Sequence, residues 1–342
     1  MNDLRILVYE PPCQGKEFAP LGAHGMTSED DRLFEQAFRE TRARHGGEIT
    51  FYLPGMIRYE NLRGRYPALS LTGNQCELLC EHCKGRLLIP MIQVTDPDDL
   101  VHKALHFHKR GAHGLLLTGG SDRRGQLPWG KYEEAICKVA EATGLFLSGH
   151  VGFPDLETCR RLKKSGLRQA LLDVMGDEET ASSVYHLKGL KTVRQALESI
   201  SQSGLPLAPH IVAGLHYGAM KGEEAALEML CDYDPVVLVI VVITPLEGTP
   251  MAGVKPPSPL AVARLIAKAR LLMPHLPISL GCERPRNQQG IELEKLALRA
   301  GITRMAVWSE EVLEEASRLG LRPRFQPTCC SVDFTESFSM LR

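Results

Sequence analysis

The sequence predicts an α/β protein whose core is a (β/α)₈ barrel of the TIM type. From residue 69 onward, short runs rich in Leu, Val and Ile alternate with amphipathic stretches of helical period. Most runs are apolar throughout rather than at every second position, which is typical of strands buried on both faces. Eight such strand–helix units favour a closed parallel barrel, with a doubly wound open sheet as the alternative. The predicted strands are 69–72, 114–118, 145–150, 169–174, 207–213, 236–243, 278–282 and 304–308.

Helix boundary signals separate the predicted strands. Asp155 is a candidate N-cap, because its carboxylate can accept a hydrogen bond from the free amides of a first turn. Glycines follow several amphipathic stretches, as expected of residues that terminate helices. The predicted helices are 98–110, 131–143, 155–165, 191–203, 258–273 and 310–320, and the terminating glycines are Gly111, Gly144, Gly166, Gly204 and Gly320.

Two parts of the chain lie outside the predicted barrel, which spans residues 69–320. An N-terminal extension, residues 1–68, has apolar side chains at helical spacing over 28–45 and a glycine stop at Gly46. A short strand is expected after it, over 48–53. The C-terminal tail, residues 321–342, has no clear period and is expected to be loop-like.

Composition and charge argue against several classes of protein. The chain of 342 residues has 40 Lys and Arg against 41 Asp and Glu, a formal net charge of −1. This balance argues against binding to nucleic acid or to an anionic membrane surface. The longest apolar run, residues 235–243, is about half the length of a membrane-spanning helix. The N-terminus lacks a basic-then-apolar leader with a cleavage site, so a cytoplasmic protein is expected.

The expected rim of the barrel carries the residues best suited to chemistry. Active sites of such barrels lie at the C-terminal ends of the strands. Glycines at these positions could serve cofactor binding, or simply tight turns between strand and helix. The rim positions, in chain order, are Cys76, Gly119, Gly120, Ser121, His150, Asp173, Gly214, His216 and Cys282.

Three cysteines within eight residues are the most specific feature of the chain. The spacing is Cys76-x₃-Cys80-x₂-Cys83, with His82 just before the third cysteine. Disulfides are not expected in a reducing compartment, so thiols this crowded are candidate metal ligands. Three thiolates in one loop can hold three irons of a [4Fe–4S] cluster, which leaves the fourth iron open to an exogenous ligand. The alternatives are a zinc site completed by His82 or a distant group, and a chance cysteine-rich loop.

The cysteine loop resembles that of the radical S-adenosylmethionine (SAM) superfamily, whose members carry Cys-x₃-Cys-x₂-Cys after the first barrel strand. His82 occupies the position where the family usually has an aromatic residue. The resemblance implies a [4Fe–4S] cluster on the three cysteines, with SAM bound to the open iron through its amino and carboxylate groups. It also implies that an electron from the cluster cleaves SAM to methionine and a 5′-deoxyadenosyl radical, which takes hydrogen from an unactivated carbon.

Other segments resemble the SAM-binding elements of that superfamily. Gly119-Gly120-Ser121 is similar to the glycine-rich turn that meets the SAM amino group, although Glu is usual at the third position. Residues 210–217 are similar to the fifth-strand segment that lines the adenosine, without the usual acid. The resemblance thus implies SAM contacts from His82, Gly119, Gly120, Ser121, His150, Gly214 and His216.

Longer stretches resemble the biotin and lipoyl synthase group. Residues 244–251 are similar to the end of the sixth strand in biotin synthases, and residues 51–56, 69–74, 173–180 and 279–286 most resemble a subunit of the two-component lipoyl synthases. This resemblance implies sulfur insertion into a protein- or peptide-bound octanoyl chain, with a second radical SAM subunit and a ferredoxin or flavodoxin as electron donor. The alternative is a single-cluster radical SAM enzyme of the biotin synthase, methylornithine synthase or hydrogenase-maturase type that acts on a small molecule.

The remaining cysteines bear on the choice between these two hypotheses, because sulfur insertion in related enzymes consumes a second iron–sulfur cluster. The candidate ligands of an auxiliary [4Fe–4S] cluster are Cys13, Cys282, Cys329 and Cys330, although adjacent cysteines are awkward donors to one cluster. The N-terminal Cys-x₄-Cys-x₅-Cys run of single-chain lipoyl synthases is missing. Arg284 and Arg286 could meet a carboxylate or a cluster sulfur, or form salt bridges. Three further cysteines lie in helical patterns and are expected to be buried filler: Cys137, Cys159 and Cys231.

Overall fold

Every apolar run of the predicted barrel is a strand of one parallel sheet in the computed structural model, which describes residues 26–59, 62–332 and 334. The sheet has 11 strands, and a separate two-stranded hairpin, β2 with β3, lies outside it. In chain order the strands are β1 (Glu48–Tyr52), β2 (Arg58–Tyr59), β3 (Leu62–Arg63), β4 (Ala68–Ser70), β5 (Ile92–Gln93), β6 (Gly114–Thr118), β7 (Phe146–His150), β8 (Gln169–Asp173), β9 (Leu207–Ala213), β10 (Leu238–Val242), β11 (Ile278–Leu280), β12 (Arg304–Ala306) and β13 (Arg322–Gln326).

The strand order confirms the TIM-type barrel fold. Around the sheet the order is β5-β4-β6-β7-β8-β9-β10-β11-β12-β1-β13, so the eight predicted strands, β4 and β6 to β12, follow one another in chain order. A doubly wound sheet would reverse direction at a switch point, and this order has no reversal. The C-terminal ends of all eight strands therefore meet at one rim.

The outer helices of the barrel follow the predicted pattern, and six of them have a side-chain cap at the N-terminus. The carboxylate of Asp155 accepts a hydrogen bond from the Thr158 amide at 2.8 Å, which confirms it as an N-cap. The sequence analysis missed three helices, α5, α7 and α9. The helices are α1 (Ser28–His45), α2 (Pro97–Lys109), α3 (Glu133–Thr143), α4 (Leu156–Lys164), α5 (Glu178–Ser183), α6 (Leu190–Ser203), α7 (Glu223–Leu230), α8 (Pro259–Leu272), α9 (Gln288–Arg299) and α10 (Glu310–Arg318), with 3₁₀ turns at Arg86–Leu88 and Trp129–Lys131.

Both flanking segments contribute to the barrel sheet. The predicted helix over 28–45 and the short strand after it are present as α1 and β1. Strand β1 lies between β12 and β13, with Thr50 opposite Arg304 on one side and Arg324 on the other. The tail was expected to be loop-like, but its first residues form β13. The division of the chain at residues 68 and 320 remains a prediction, and the sheet extends across both positions.

The tail beyond β13 covers the N-terminal end of the barrel. The Gln169 side chain donates to the Ser331 carbonyl at 2.7 Å, and Arg304 donates to the Cys330 carbonyl at 3.2 Å. Because Gln169 and Arg304 are the first residues of β8 and β12, this contact lies opposite the rim. Cys330 packs in an apolar cluster with Tyr52, Leu171, Ala208, Val237, Val239, Val241 and Ala306. This end of the barrel is therefore filled by the tail.

Among the described residues, the helices are all too short or too polar to span a lipid bilayer.

Candidate active site

The cysteine loop begins directly after β4 and is fixed in place by Thr72. The Thr72 hydroxyl donates to the Gln75 carbonyl at 2.9 Å and accepts from the Gly120 amide at 2.6 Å. A Cβ on Gly120 would lie 1.9 Å from the Gln75 oxygen and 2.6 Å from the Cys76 Cα. Only glycine therefore allows the turn after β6 to approach the first cysteine this closely.

Further backbone hydrogen bonds hold the rest of the loop. The Glu77 and Leu78 amides both donate to the Ser121 carbonyl, at 2.8 and 3.2 Å. The Glu81 amide donates to the Val184 carbonyl at 2.9 Å, which ties the loop to the segment after α5. The side chain of Lys84 donates to the Glu81 carboxylate at 2.6 Å. The loop conformation is thus fixed by contacts from two neighbouring rim segments.

Two of the three cysteines, Cys80 and Cys83, lie in one cluster with His82 on this loop. Possible ligand atoms of Cys80, His82 and Cys83 all lie within 4.8 Å of one another. The Cys76 side chain lines the same cavity as these three. Hydrogen bonding between the Cys80 and Cys83 thiols lowers the pKa of Cys83 to about 4 and raises that of Cys80. One thiolate is already favoured at neutral pH, and soft sulfur donors of this kind select iron–sulfur clusters or zinc.

A cavity of about 210 Å³ lies between the cysteine loop and the neighbouring strand ends. Its walls include Gly119, Gly120 and Ser121 on one side and His150 with Asp173 on another. The cavity therefore brings together five of the seven predicted SAM-contacting residues, since His82 also lines it. The donor chemistry and the glycine turn beside Cys76 fit a cluster on this loop with a small ligand next to it.

A chain of polar and aromatic side chains leads from the cysteine loop into the barrel. The His82 ring lies 5.2 Å from the Tyr185 ring, and its Nδ1 has no hydrogen-bond partner among the described residues. The Tyr185 hydroxyl donates to Asp173 Oδ2 at 2.6 Å. Asp173 Oδ1 lies 3.6 Å from His150 Nε2, and the His150 and His210 rings are 5.3 Å apart.

Burial and neighbouring charges determine the protonation of this chain. Burial lowers the pKa of His210 to about 4, and the nearby His150 ring adds to the effect. His210 Nδ1 donates to the Ala208 carbonyl at 3.1 Å, which leaves Nε2 as a hydrogen-bond acceptor in the neutral ring. Burial alone would raise the pKa of Asp173, but the two histidines and Tyr185 hold it below the usual value. At neutral pH the barrel interior therefore presents an ionised carboxylate beside a neutral imidazole.

Two predicted SAM-contacting residues lie away from the cavity. The Gly214 amide donates to the Glu223 carboxylate at 2.7 Å, and the His216 ring lies 3.1 Å from the Thr180 hydroxyl. Both residues follow β9 at the rim, but neither lines the cavity beside the cysteines. Their assignment to SAM stays a prediction.

The candidate auxiliary ligands come partly together. Cys13 falls outside the described residues. Cys282 follows β11 and is accessible to solvent, yet the surrounding protein raises the pKa of its thiol to about 11, with a contribution from Cys329. A hydrogen bond from Cys330 lowers the pKa of Cys329 to about 6 and raises that of Cys330. The three described thiols thus influence one another, and their role as cluster ligands remains a prediction.

The arginines after β11 and the helical cysteines have plainer roles. Arg284 is buried and forms a salt bridge of 2.6 Å with Glu294 of α9, so the salt-bridge alternative holds for it. Arg286 donates to the Cys282 carbonyl.

The three helical cysteines were expected to be buried. Cys159 is buried, whereas Cys137 is half-buried and Cys231 is exposed. Cys137 lies on α3, and Cys231 directly follows the end of α7.

Sequence reasoning missed two members of the site. Tyr185 and Phe153 both line the cavity, and their rings meet edge to face at 6.1 Å. Neither belongs to a motif. Tyr185 lies in the loop after α5, and Phe153 lies in the loop after β7. Asp173 was placed on the rim but not given a role.

Comparisons with known proteins find relatives of low sequence identity and similar fold. No family model matches the chain. The chain is 23% identical to the biotin synthase of Thermodesulfovibrio yellowstonii over 218 residues, which cover 63% of this chain and 67% of that protein. It is 23% identical to the biotin synthase of Acetivibrio thermocellus over 308 residues, or 84% of this chain and 94% of that protein.

A crystal structure of methylornithine synthase superposes with a TM-score of 0.63 at 19% sequence identity, and covers 87% of this chain and 90% of that one. In sequence the chain is thus similar to biotin synthases at low identity, and its fold is a TIM-type barrel like that of methylornithine synthase.

Proposed function

We propose that the chain is a radical SAM enzyme of the biotin synthase and methylornithine synthase type, with a [4Fe–4S] cluster held by Cys76, Cys80 and Cys83. The observation that carries the proposal is that the three cysteines of the loop after β4 line one cavity together with the Gly119-Gly120 turn. Similarity to biotin synthases over most of the chain supports the same conclusion.

Each side chain of the loop has a distinct task in this proposal. The three thiolates hold the cluster, and Thr72 keeps the loop against the Gly120 turn through its two hydrogen bonds. In this proposal, backbone groups of that turn would meet the amino group of SAM. When bound, the cluster and SAM together supply a 5′-deoxyadenosyl radical that can take hydrogen from an unactivated carbon.

The barrel interior favours a small substrate that donates hydrogen bonds. Ionised Asp173 and the free Nε2 of neutral His210 are both acceptors, and His150 lies between them. A substrate with an ammonium or hydroxyl group would be oriented by these atoms, and Asp173 and His150 line the cavity itself. The filled N-terminal end of the barrel limits how deep a substrate can enter.

Sulfur insertion into a carrier-bound octanoyl chain, with a partner subunit, is the second candidate. One observation favours it: Cys282, Cys329 and Cys330 lie close enough to shift one another's pKa. The similarities reported above favour the small-molecule alternative instead. An auxiliary cluster on these thiols would decide between the two.

The test is anaerobic reconstitution followed by iron, sulfide and zinc analysis and assay of 5′-deoxyadenosine formed from SAM. We expect about four irons per wild-type chain, and loss of both the iron and the nucleoside product in the Cys76/Cys80/Cys83→Ala variant. The matched control replaces Cys137 and Cys231, which lie away from the site, and should keep both.

Two results would change the assignment. Binding of zinc in place of iron would overturn the proposal in favour of a zinc site on the same loop. Retention of about four irons by the triple variant would reveal a second cluster, and sulfur insertion would then become the preferred function.

A further inference from the structure

A second concavity lies on the outer side of the site. It is a groove of about 700 Å³ between the loop after β6, the loop after β7 and the start of α6. We call it the basic groove, because four of its lining residues are basic and two are acidic: Arg123, Arg124, Lys188 and Arg194 against Asp155 and Glu198. No motif in the sequence pointed to it.

The charge of the basic groove is only partly neutralised by the protein itself. Arg124 is paired with Asp122 at 3.2 Å. Arg123, Lys188 and Arg194 are all exposed, and none of them has an ion pair within the described part of the chain. Unpaired cations around one groove, on a chain with net charge −1, are a local feature suited to an acidic partner.

The groove is separated from the cysteine cavity by a single layer of side chains. Phe153 lines both the groove and the cavity. Its ring meets the Tyr185 ring at 6.1 Å, and the Tyr185 ring meets the His82 ring at 5.2 Å. His82 immediately precedes Cys83, so aromatic rings connect the groove to the cysteine loop.

The walls of the groove are rigidly attached to the cysteine loop. The Phe153 amide donates to the Gly125 carbonyl at 2.9 Å, and a Cβ at Gly125 would lie 2.6 Å from the Phe153 ring. On the other wall, His186 lies 2.9 Å from the Glu81 carboxylate, two residues before Lys188. A protein docked here would therefore contact elements that are fixed to the cluster-holding loop.

We propose that the basic groove docks a small acidic flavoprotein that carries single electrons. The inference rests on the proposed function, since only a cluster on the cysteine loop needs such a donor. In the step it serves, the reduced carrier loses one electron and the cluster gains one, with no bond made or broken. The cations hold the carrier beside Phe153. The rings of Phe153, Tyr185 and His82 then occupy the space between the carrier and the cysteine loop.

The experiment uses the reconstituted chain and an acidic flavodoxin as the probe. The test variant is Arg123→Glu/Lys188→Glu/Arg194→Glu. The matched control, Lys109→Glu/Lys138→Glu/Lys164→Glu, makes the same charge change at exposed lysines of α2, α3 and α4. Two quantities are measured: the Kd for oxidised flavodoxin as a function of salt, and the rate of cluster bleaching by flavodoxin hydroquinone. Reduction by photoreduced deazaflavin, a small molecule that needs no docking surface, is followed in parallel.

We expect the groove variant to raise the Kd and slow bleaching by about tenfold or more at low salt, with a weaker salt dependence. The control variant should stay within about threefold of wild type, and deazaflavin should reduce all three proteins equally. Wild-type binding and bleaching by the groove variant would overturn the inference and leave the proposed function standing. Equal slowing with deazaflavin would also overturn it, because the effect would then lie in the cluster. A wild-type chain without a reducible cluster would defeat both proposals.

Discussion

Replacing Gly120 by alanine tests whether the close approach of two rim turns determines cluster binding. The added Cβ would lie 1.9 Å from the Gln75 carbonyl oxygen and 2.6 Å from the Cys76 Cα, and both are backbone atoms that cannot rotate away. Relief requires the turn and the cysteine loop to separate by about 1 Å or more, and such overpacking costs about 1–3 kcal/mol. Because the strain falls on the loop, we expect about 5- to 150-fold weaker cluster binding, with the fold retained.

The assay is iron and sulfide content after reconstitution at limiting iron, together with thermal unfolding of the apoprotein. Gly253→Ala is the control, since its Cβ would have nothing within 4 Å, and Gly119→Ala is an intermediate case, with Thr72 side-chain atoms at 3.2 Å. Iron occupancy should be highest in Gly253→Ala, lower in Gly119→Ala and lowest in Gly120→Ala. Wild-type occupancy in Gly120→Ala would refute the reasoning, because it would mean that the loop does not depend on this contact.

Three further predictions concern buried polar groups. Glu294→Gln keeps a hydrogen-bond acceptor but removes the negative charge 2.6 Å from the buried Arg284 guanidinium, and should cost about 3–5 kcal/mol in urea unfolding; a loss below about 1 kcal/mol would contradict this. His210 is held neutral with a pKa of about 4 against 6.5 when unfolded, so the unfolded chain binds the extra proton. Wild-type stability should thus fall as pH drops from 6.5 to 4, and His210→Gln, compared in thermal melts, should fall less steeply; parallel curves would exclude the effect. Tyr185→Phe removes the 2.6 Å hydrogen bond to Asp173 and should cost about 1–3 kcal/mol of unfolding free energy in the same melts, an expectation that an unchanged variant would reject.

The barrel strands were predictable because parallel strands buried on both faces read as unbroken apolar runs. Strand β13 was missed because its sequence has no such apolar run. It is the last strand of the sheet, pairs only with β1, and has the sequence Arg-Pro-Arg-Phe-Gln, in which no apolar pattern stands out. Its place in the sheet depends on long-range pairing, which local sequence does not encode.

The cysteine loop and the glycine turn were predictable because each motif is local in sequence. The three cysteines lie within eight residues, and the two glycines are adjacent. The chain from His82 through Tyr185 and Asp173 to His210 was not, since its members lie on different elements and meet only once the barrel is formed. Sequence position alone placed Gly214 at the same rim, but the structure turns its amide toward Glu223 instead of the cavity.

Strand β1 has a consequence for how the molecule assembles. It is synthesised early, yet both of its partners in the sheet, β12 and β13, come from the last part of the chain. Helix α1 is in the same position, since the Thr41 hydroxyl donates to the Gly301 carbonyl across 260 positions of sequence. Contacts of such long range form slowly, because loop closure must precede any gain from pairing. During synthesis the nascent β1 therefore has an open edge on each side until β12 and β13 have left the ribosome, and this is the interval in which the strand most needs protection from aggregation.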